Sequence, residues 1–147
     1  MAVSEVGYKQ KLREILDAEG LWSESYEPGL GSGVGYPDLQ VLVWGRLVPL
    51  ELKRGWGRDG RVFCTQIKPS QISWHHRFLM AGGNSKVLIC FGSKREMTAV
   101  AAPGLHRDVL SRWKEGWELG SCEVWVSDGR LAISPAHMLR STFQAEE

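Results

Sequence analysis

Two apolar runs with a two-residue break between them constrain this chain more than any other feature: Asp38-Leu-Gln-Val-Leu-Val-Trp44, then Gly45-Arg46, then Leu47-Val-Pro-Leu-Glu-Leu-Lys53. Both are rich in Val and Leu, and a Gly-X pair between two such β-rich runs predicts a tight hairpin with a type II′ turn. Pro49 bears on the pairing, because proline has no N–H for a ladder and belongs at an edge or a bulge. Successive side chains of a strand point to opposite faces, so Val48, Leu50 and Leu52 turn one way while Glu51 and Lys53 turn the other. With Gly45-Arg46 as the turn, Trp44 pairs with Leu47, Gln40 with Glu51 and Asp38 with Lys53. Asp38 and Glu51 are then diagonal neighbours on one face, roughly 5 to 8 Å apart at their side-chain bases, so their carboxylates can converge on one ion.

Two hard oxygen ligands with room for water and a phosphate describe a Mg²⁺ site, since Mg²⁺ dehydrates reluctantly and takes one or two protein carboxylates. A cation there offsets charge on a phosphate under attack, and Lys53 can position the attacking water. The same residues also fit a salt-bridge ladder of Asp38 with Lys53 on an exposed sheet face. Hairpin geometry alone does not choose between the two.

The chain has 147 residues, 43% apolar and 24% charged, enough for one compact core, so it reads as a single domain over 1–147. Ser4 to Ala18 carries Tyr8, Leu12, Ile15 and Leu16 at helical spacing, with Ser4 as N-cap and Gly20 as the stop. A short strand is expected over 21–26, a flexible loop from Pro28 to Gly35, and a glycine-rich basic loop from Arg54 to about Thr65. Lys68-Pro-Ser70 opens a second helix, capped by Ser70 and running to about Ala81, and Lys86–Phe91 reads as a buried strand. The first ninety residues thus order as α-β-β-β-α-β. An extension over 93–147 is expected to hold a helix near Leu105 to Leu119, a hairpin at Asp128-Gly129 and a short helix opened by Ser134-Pro135.

The net charge is +1, so any affinity for a polyanion must be local. From Lys53 to Arg77 six basic residues, Lys53, Arg54, Arg58, Arg61, Lys68 and Arg77, face a single acid, Asp59. That run is either a solvated surface or a phosphate-binding strip. Trp56 lies among the arginines, where it can stack on an unpaired base or pack onto its own domain. The glycine loops 29–35 and 55–60 lack the Gly-Lys-Ser/Thr of a Walker motif. Three cysteines without CxxC spacing argue for a reducing compartment, and neither a signal-peptide core nor a membrane-length apolar run is visible. A cytoplasmic protein away from membranes is expected.

Gly35-Tyr-Pro37-Asp38, followed thirteen residues after the aspartate by Glu51-Leu52-Lys53, resembles the PD-(D/E)xK nuclease signature. A helix opening with Pro69, Ser70, Gln71 and Trp74, then a Gly-Gly and an apolar strand, is similar to the VRR-NUC branch and to small stand-alone Holliday junction resolvase-like nucleases. The likeness covers roughly residues 4–92. It implies an α/β, restriction-endonuclease-like core, a central mixed sheet flanked by helices, with a C-terminal α/β extension. It also implies that Asp38 and Glu51 bind Mg²⁺, which Mn²⁺ can replace, that Lys53 assists the water, that Gln71 supports the site, and that helix one adds a metal-binding glutamate. Of two candidates, Glu5 lies within about 20° of Leu12 and Leu16 on a helical wheel, whereas Glu14 lies about 160° from each, so Glu5 is the expected acid. Adjacent helical residues do not face one point, so His75 and His76 are not expected to share an ion; one is assigned to DNA and the other to the surface.

The implied activity is metal-dependent DNA endonuclease cleavage of branched or structured DNA, by a homodimer that contacts DNA through Arg54, Arg58, Arg61, Lys68 and Trp56. No helix-turn-helix or zinc finger is visible to read a long base sequence. A sequence-specific homing or restriction-type endonuclease is the alternative with the same centre. A catalytically inactive DNA-binding module is the third reading, against which Asp38, Glu51 and Lys53 are all present.

Overall fold

A computed structural model describes residues 3–26 and 35–140. The loop expected from Pro28 lies, except for Gly35, outside the described residues. Helix α1 (Glu5–Ala18) begins where Ser4 accepts the Gly7 N–H at 3.0 Å, and it buries Tyr8, Leu12, Ile15 and Leu16 as its spacing predicts. Then follow β1 (Ser23–Ser25), β2 (Leu39–Val43), β3 (Arg46–Arg58), β4 (Arg61–Cys64), α2 (Pro69–Met80) and β5 (Lys86–Phe91). The remainder is β6 (Thr98–Ala101), α3 (Arg107–Leu110), β7 (Trp117–Glu118), a 3₁₀ turn, β8 (Glu123–Ser127), β9 (Arg130–Leu131) and α4 (Pro135–Met138).

The strands join in the order β1-β2-β3-β5-β6-β8-β9, with β4 on the outer half of β3 and β7 on β4. Only the β3–β5 pair is parallel among these ladders, so the molecule is a mixed α/β protein. On one sheet face Leu39, Val41, Val43, Val48, Leu50 and Leu52 pack with the apolar stripe of α1. On the other, Val87, Ile89 and Val100 pack with Ile72 and Leu79 of α2. Strand β5 feeds both cores, Leu88 and Cys90 one and Val87 and Ile89 the other, which is why Lys86–Phe91 is almost continuously apolar. Pro49 stands one residue before the β3–β5 ladder begins at Leu50, a position that tolerates a missing N–H.

Four features depart from expectation. The hairpin turns at Trp44-Gly45, whose φ angles are 49° and 80°, and not at Gly45-Arg46. Positive φ at both central residues makes a type I′ turn, whose twist matches the strands, and it pairs Val43 with Arg46 and Leu39 with Leu50. The expected loop over 54–65 is instead the outer half of β3 paired with β4 around a second such turn, Asp59-Gly60, with φ 52° and 76°. The helix expected over Leu105 to Leu119 stops at Leu110. Gly116 has φ 73°, and a Cβ there would lie 2.5 Å from the Val62 carbonyl oxygen, so the chain docks tightly on β4 and continues as β7. Trp117 is buried in the second core with its indole N–H donated to the Val109 carbonyl at 3.0 Å; strand pairing and this burial override the helical spacing.

Finally, β6 was not foreseen, and through it the extension continues the main sheet. The boundary near residue 92 therefore falls between two paired strands, β5 and β6. The end of the described chain is tied back by Lys86, which donates to the Arg140 carbonyl at 2.7 Å, and by Asn84, which donates to Met138 at 3.0 Å. Among the described residues no helix is long and apolar enough to cross a membrane.

Candidate active site

The corrected turn changes the site. Shifting it one residue toward the N-terminus carries the β2–β3 register onward to put Asp38 directly across from Glu51, where Lys53 had been expected. Directly opposed residues have Cβ atoms about 4.5 to 5.5 Å apart, so the two carboxylates are nearest neighbours and not diagonal ones. Asp38 is fixed there by the Leu52 N–H, which donates to its Oδ2 at 3.2 Å. Lys53 follows on the same face of β3. Glu51 is 1% exposed and Lys53 5%, so neither belongs to a solvated ladder.

Helix α2 closes this face. Its N-cap is Lys68 and not Ser70, with Pro69 in the first turn. Gln71 accepts the Lys68 N–H at 2.9 Å through Oε1 and donates through Nε2 to Glu51 Oε2 at 3.2 Å, so one side chain caps the helix and holds the carboxylate. Gly35, with φ 90°, lies against the same turn, and a Cβ there would overlap the Ser70 carbonyl. The glycine ahead of Pro37-Asp38 thus lets the entry to β2 pass against the start of α2. An aromatic row, Tyr26–Tyr36–Trp74–Phe78, flanks it with centroid separations of 4.2, 5.1 and 4.7 Å.

Burial raises the Glu51 carboxyl to about 10, helped by the charge of Asp38 and a hydrogen bond to it; Lys53 acts in the opposite sense and Glu5 adds a smaller upward push. Its Oε1 is buried without a hydrogen-bond partner. The atom facing it is His75 Nε2, 4.0 Å away and also without a partner, while His75 Nδ1 meets Ser85 Oγ at 2.7 Å. Burial lowers His75 to about 3, so the ring is neutral and offers Glu51 no counter-charge. Two adjacent carboxyl groups, of which Glu51 both keeps an orphaned oxygen and is driven toward its protonated form, fit a hard divalent cation, whose charge makes both anions favourable. Among the described residues no three His, Cys, Asp or Glu side chains form a metal-holding group. Cys64, pushed up to about 12 by burial, is held as a thiol.

Glu5 does reach this end of β3, and Glu14 is exposed on the helix surface. The Glu5 Oε2 accepts from Thr65 Oγ1 at 2.9 Å and from the Arg54 N–H at 3.3 Å, tying α1 to β3 and β4 just beyond Lys53. His75 is fully buried behind Glu51 and reaches neither DNA nor the surface, while His76 is half-buried, faces His106 and accepts the Arg107 N–H at 3.3 Å. The signal for His75 was its spacing, four residues after Gln71 and hence on the same helix face.

Arg54, Arg58 and Lys68 are exposed, Arg54 and Arg58 on the face of β3 opposite Glu51 and Lys53. Arg61 is committed elsewhere, donating to the carbonyls of Gly116 at 2.7 Å and Glu115 at 3.3 Å. Trp56 is 50% exposed and does not pack down into the core. Compared with known proteins, the chain matches no family model and no curated protein sequence.

Proposed function

We propose that this chain is a Mg²⁺-dependent DNA endonuclease that hydrolyses phosphodiester bonds in branched or otherwise structured DNA. The observation that carries the reading is the pairing of half-buried Asp38 with buried Glu51, with an orphaned Glu51 oxygen and Lys53 next on the same strand face. The PD…ExK resemblance supports it. Asp38 and Glu51 would hold Mg²⁺, or Mn²⁺ with the same oxygen donors, and the ion supplies positive charge for a phosphate under attack. Lys53 orients the attacking water and faces the developing negative charge. Gln71 keeps Glu51 from rotating away, because its other end is spent on the α2 cap. Glu5 holds the exit of β3 in line with α1, and its charge strengthens the negative field on the ion.

Exposed Arg54, Arg58 and Lys68 supply phosphate contacts along one side. With no helix-turn-helix or zinc-finger pattern in the sequence, recognition of DNA by shape fits this reading. A two-fold homodimer supplies the second centre that paired cuts in a branched substrate require.

The test is incubation with labelled Holliday junction, flap, single-stranded and linear duplex DNA in Mg²⁺, Mn²⁺ or EDTA. Junction or flap is cut with metal and spared in EDTA, and Asp38→Ala and Lys53→Ala leave them intact. If no substrate is cut, the inactive DNA-binding module replaces this reading. If one short duplex sequence alone is cut, the centre belongs to a sequence-specific endonuclease.

A further inference from the structure

The β3–β4 hairpin beyond the site has two unlike faces. Gly55, Gly57, Val62 and Cys64 alternate onto one, where Val62 and Cys64 are buried in the second core. Arg54, Trp56 and Arg58 on β3 and Arg61 and Phe63 on β4 alternate onto the other. There Trp56 and Phe63 pair in register with rings only 13° from parallel and centroids 6.1 Å apart. The Arg58 guanidinium stands over the Phe63 ring at 5.6 Å. Trp56 is half exposed.

We infer that this face is a stacking platform for an unpaired DNA base, so that the substrate carries single-stranded nucleotides beside a duplex. The inference rests on the proposed function for DNA as the ligand, though not for the chemistry at Asp38 and Glu51. Its charge selects the occupant. Trp56 has Arg54 and Arg58 two residues to either side on its own face, both exposed. An apolar protein surface would have to desolvate both cations, whereas a nucleotide brings a π-face for the indole and phosphates for the arginines. Arg61 takes no part, since it turns to the far edge, toward the Glu115 and Gly116 carbonyls and register partner Glu118. At about 3.3 Å per residue Trp56 is roughly 10 Å along β3 from Lys53, and alternation turns it to the α1 side of the sheet while Glu51 and Lys53 turn to the α2 side.

The test separates stacking from cleavage by measuring binding in EDTA. A duplex with a single-stranded extension containing 2-aminopurine is titrated against a blunt duplex of the same paired sequence, with wild type, Trp56→Leu and Trp56→Phe. Leucine keeps apolar packing on Phe63 without a π-face, and melting curves confirm that each variant folds. Trp56→Leu is expected to lose about tenfold in affinity for the extended DNA and to abolish 2-aminopurine quenching, with little change on blunt duplex; Trp56→Phe retains most of both. Equal affinities of wild type and Trp56→Leu for extended DNA overturn the platform, as does an equal loss on both DNAs. Quenching by a protein that cuts nothing in Mg²⁺ would sink the nuclease reading and leave the platform; cutting that ignores Trp56 would do the reverse.

Discussion

The inner and outer halves of β3 have different surroundings. From Val48 to Lys53 every residue is buried, between β2 and β5 edgewise and between the two apolar cores face to face. From Arg54 to Arg58 the strand has β4 as its main partner and is largely exposed. Dryness in the inner half strengthens every electrostatic interaction there, which is why a carboxyl beside Asp38 is driven so far up. In the outer half water keeps arginines mobile and weakly held, suited to a polymer that must be gripped and released. One strand thereby joins a buried half that carries Glu51 and Lys53 to a solvated half that carries Arg54, Trp56 and Arg58.

Glu51→Gln should separate the halves most sharply. Cleavage in Mg²⁺ is expected to fall by about a thousandfold, because an inner-half ligand is lost, while DNA binding in EDTA is unchanged. Stability moves the other way. In EDTA the folded protein holds the Glu51 proton to about pH 10, against an ordinary value of 4.5, so above pH 4.5 the unfolded chain releases a proton that the folded one keeps. The stability of wild type is therefore fullest below that value and is lost as pH rises toward 10, by at most about 1.4 kcal/mol per pH unit. Denaturant unfolding at pH 5, 6.5 and 8 should show Glu51→Gln gaining on wild type as pH rises, and Mg²⁺ should stabilise wild type alone. A difference that stays flat with pH would mean that Glu51 is not held protonated by the inner half.

The junction between the halves is Gly55, and it gives the second test. A Cβ there would overlap the Phe63 carbonyl and the Ile89 side chain, so Gly55→Ala is expected to destabilise the fold by about 1 to 3 kcal/mol and to loosen β4. Two residues on, a Cβ at Gly57 meets only the Arg61 carbonyl at 3.7 Å, an ordinary contact, so Gly57→Ala stays within about 0.5 kcal/mol. Equal effects would show that the outer half is not clamped where it leaves the inner one.

The same contrast explains what could be read in advance. The inner half alternates strictly from Val48 to Lys53, so Glu51 and Lys53 on one face followed from spacing alone. Its register did not, because Trp44 at positive φ is a residue the favoured turn pairs do not include, and a Gly-X turn one place along looked equally sound. In the outer half Gly55 and Gly57 interrupt the apolar alternation and disguise the strand, although Asp59-Gly60 is itself a strong hairpin signal. Gln71 was reached by resemblance, yet its double hydrogen bond depends on how α2 meets β3, which no local pattern encodes. His75 is the same case, since its depth comes from the sheet it packs on.

The smallest effect belongs to Arg58. Its guanidinium is exposed over Phe63, and a solvated charge near one phosphate contributes little. Arg58→Gln should weaken DNA binding about threefold at moderate salt, lower the slope of log K against log salt by about 0.9, and leave the cleavage rate at saturating DNA unchanged. Binding titrations from low to moderate salt, beside single-turnover cleavage, read both quantities. The separation matters more than the size: a charge that only grips changes affinity and its salt dependence together, whereas one that acts on the reaction changes the saturated rate. If Arg58→Gln lowered that rate toward the level of Glu51→Gln, the outer half would be part of the reacting centre, and the division of β3 into a dry half for chemistry and a wet half for grip would be wrong.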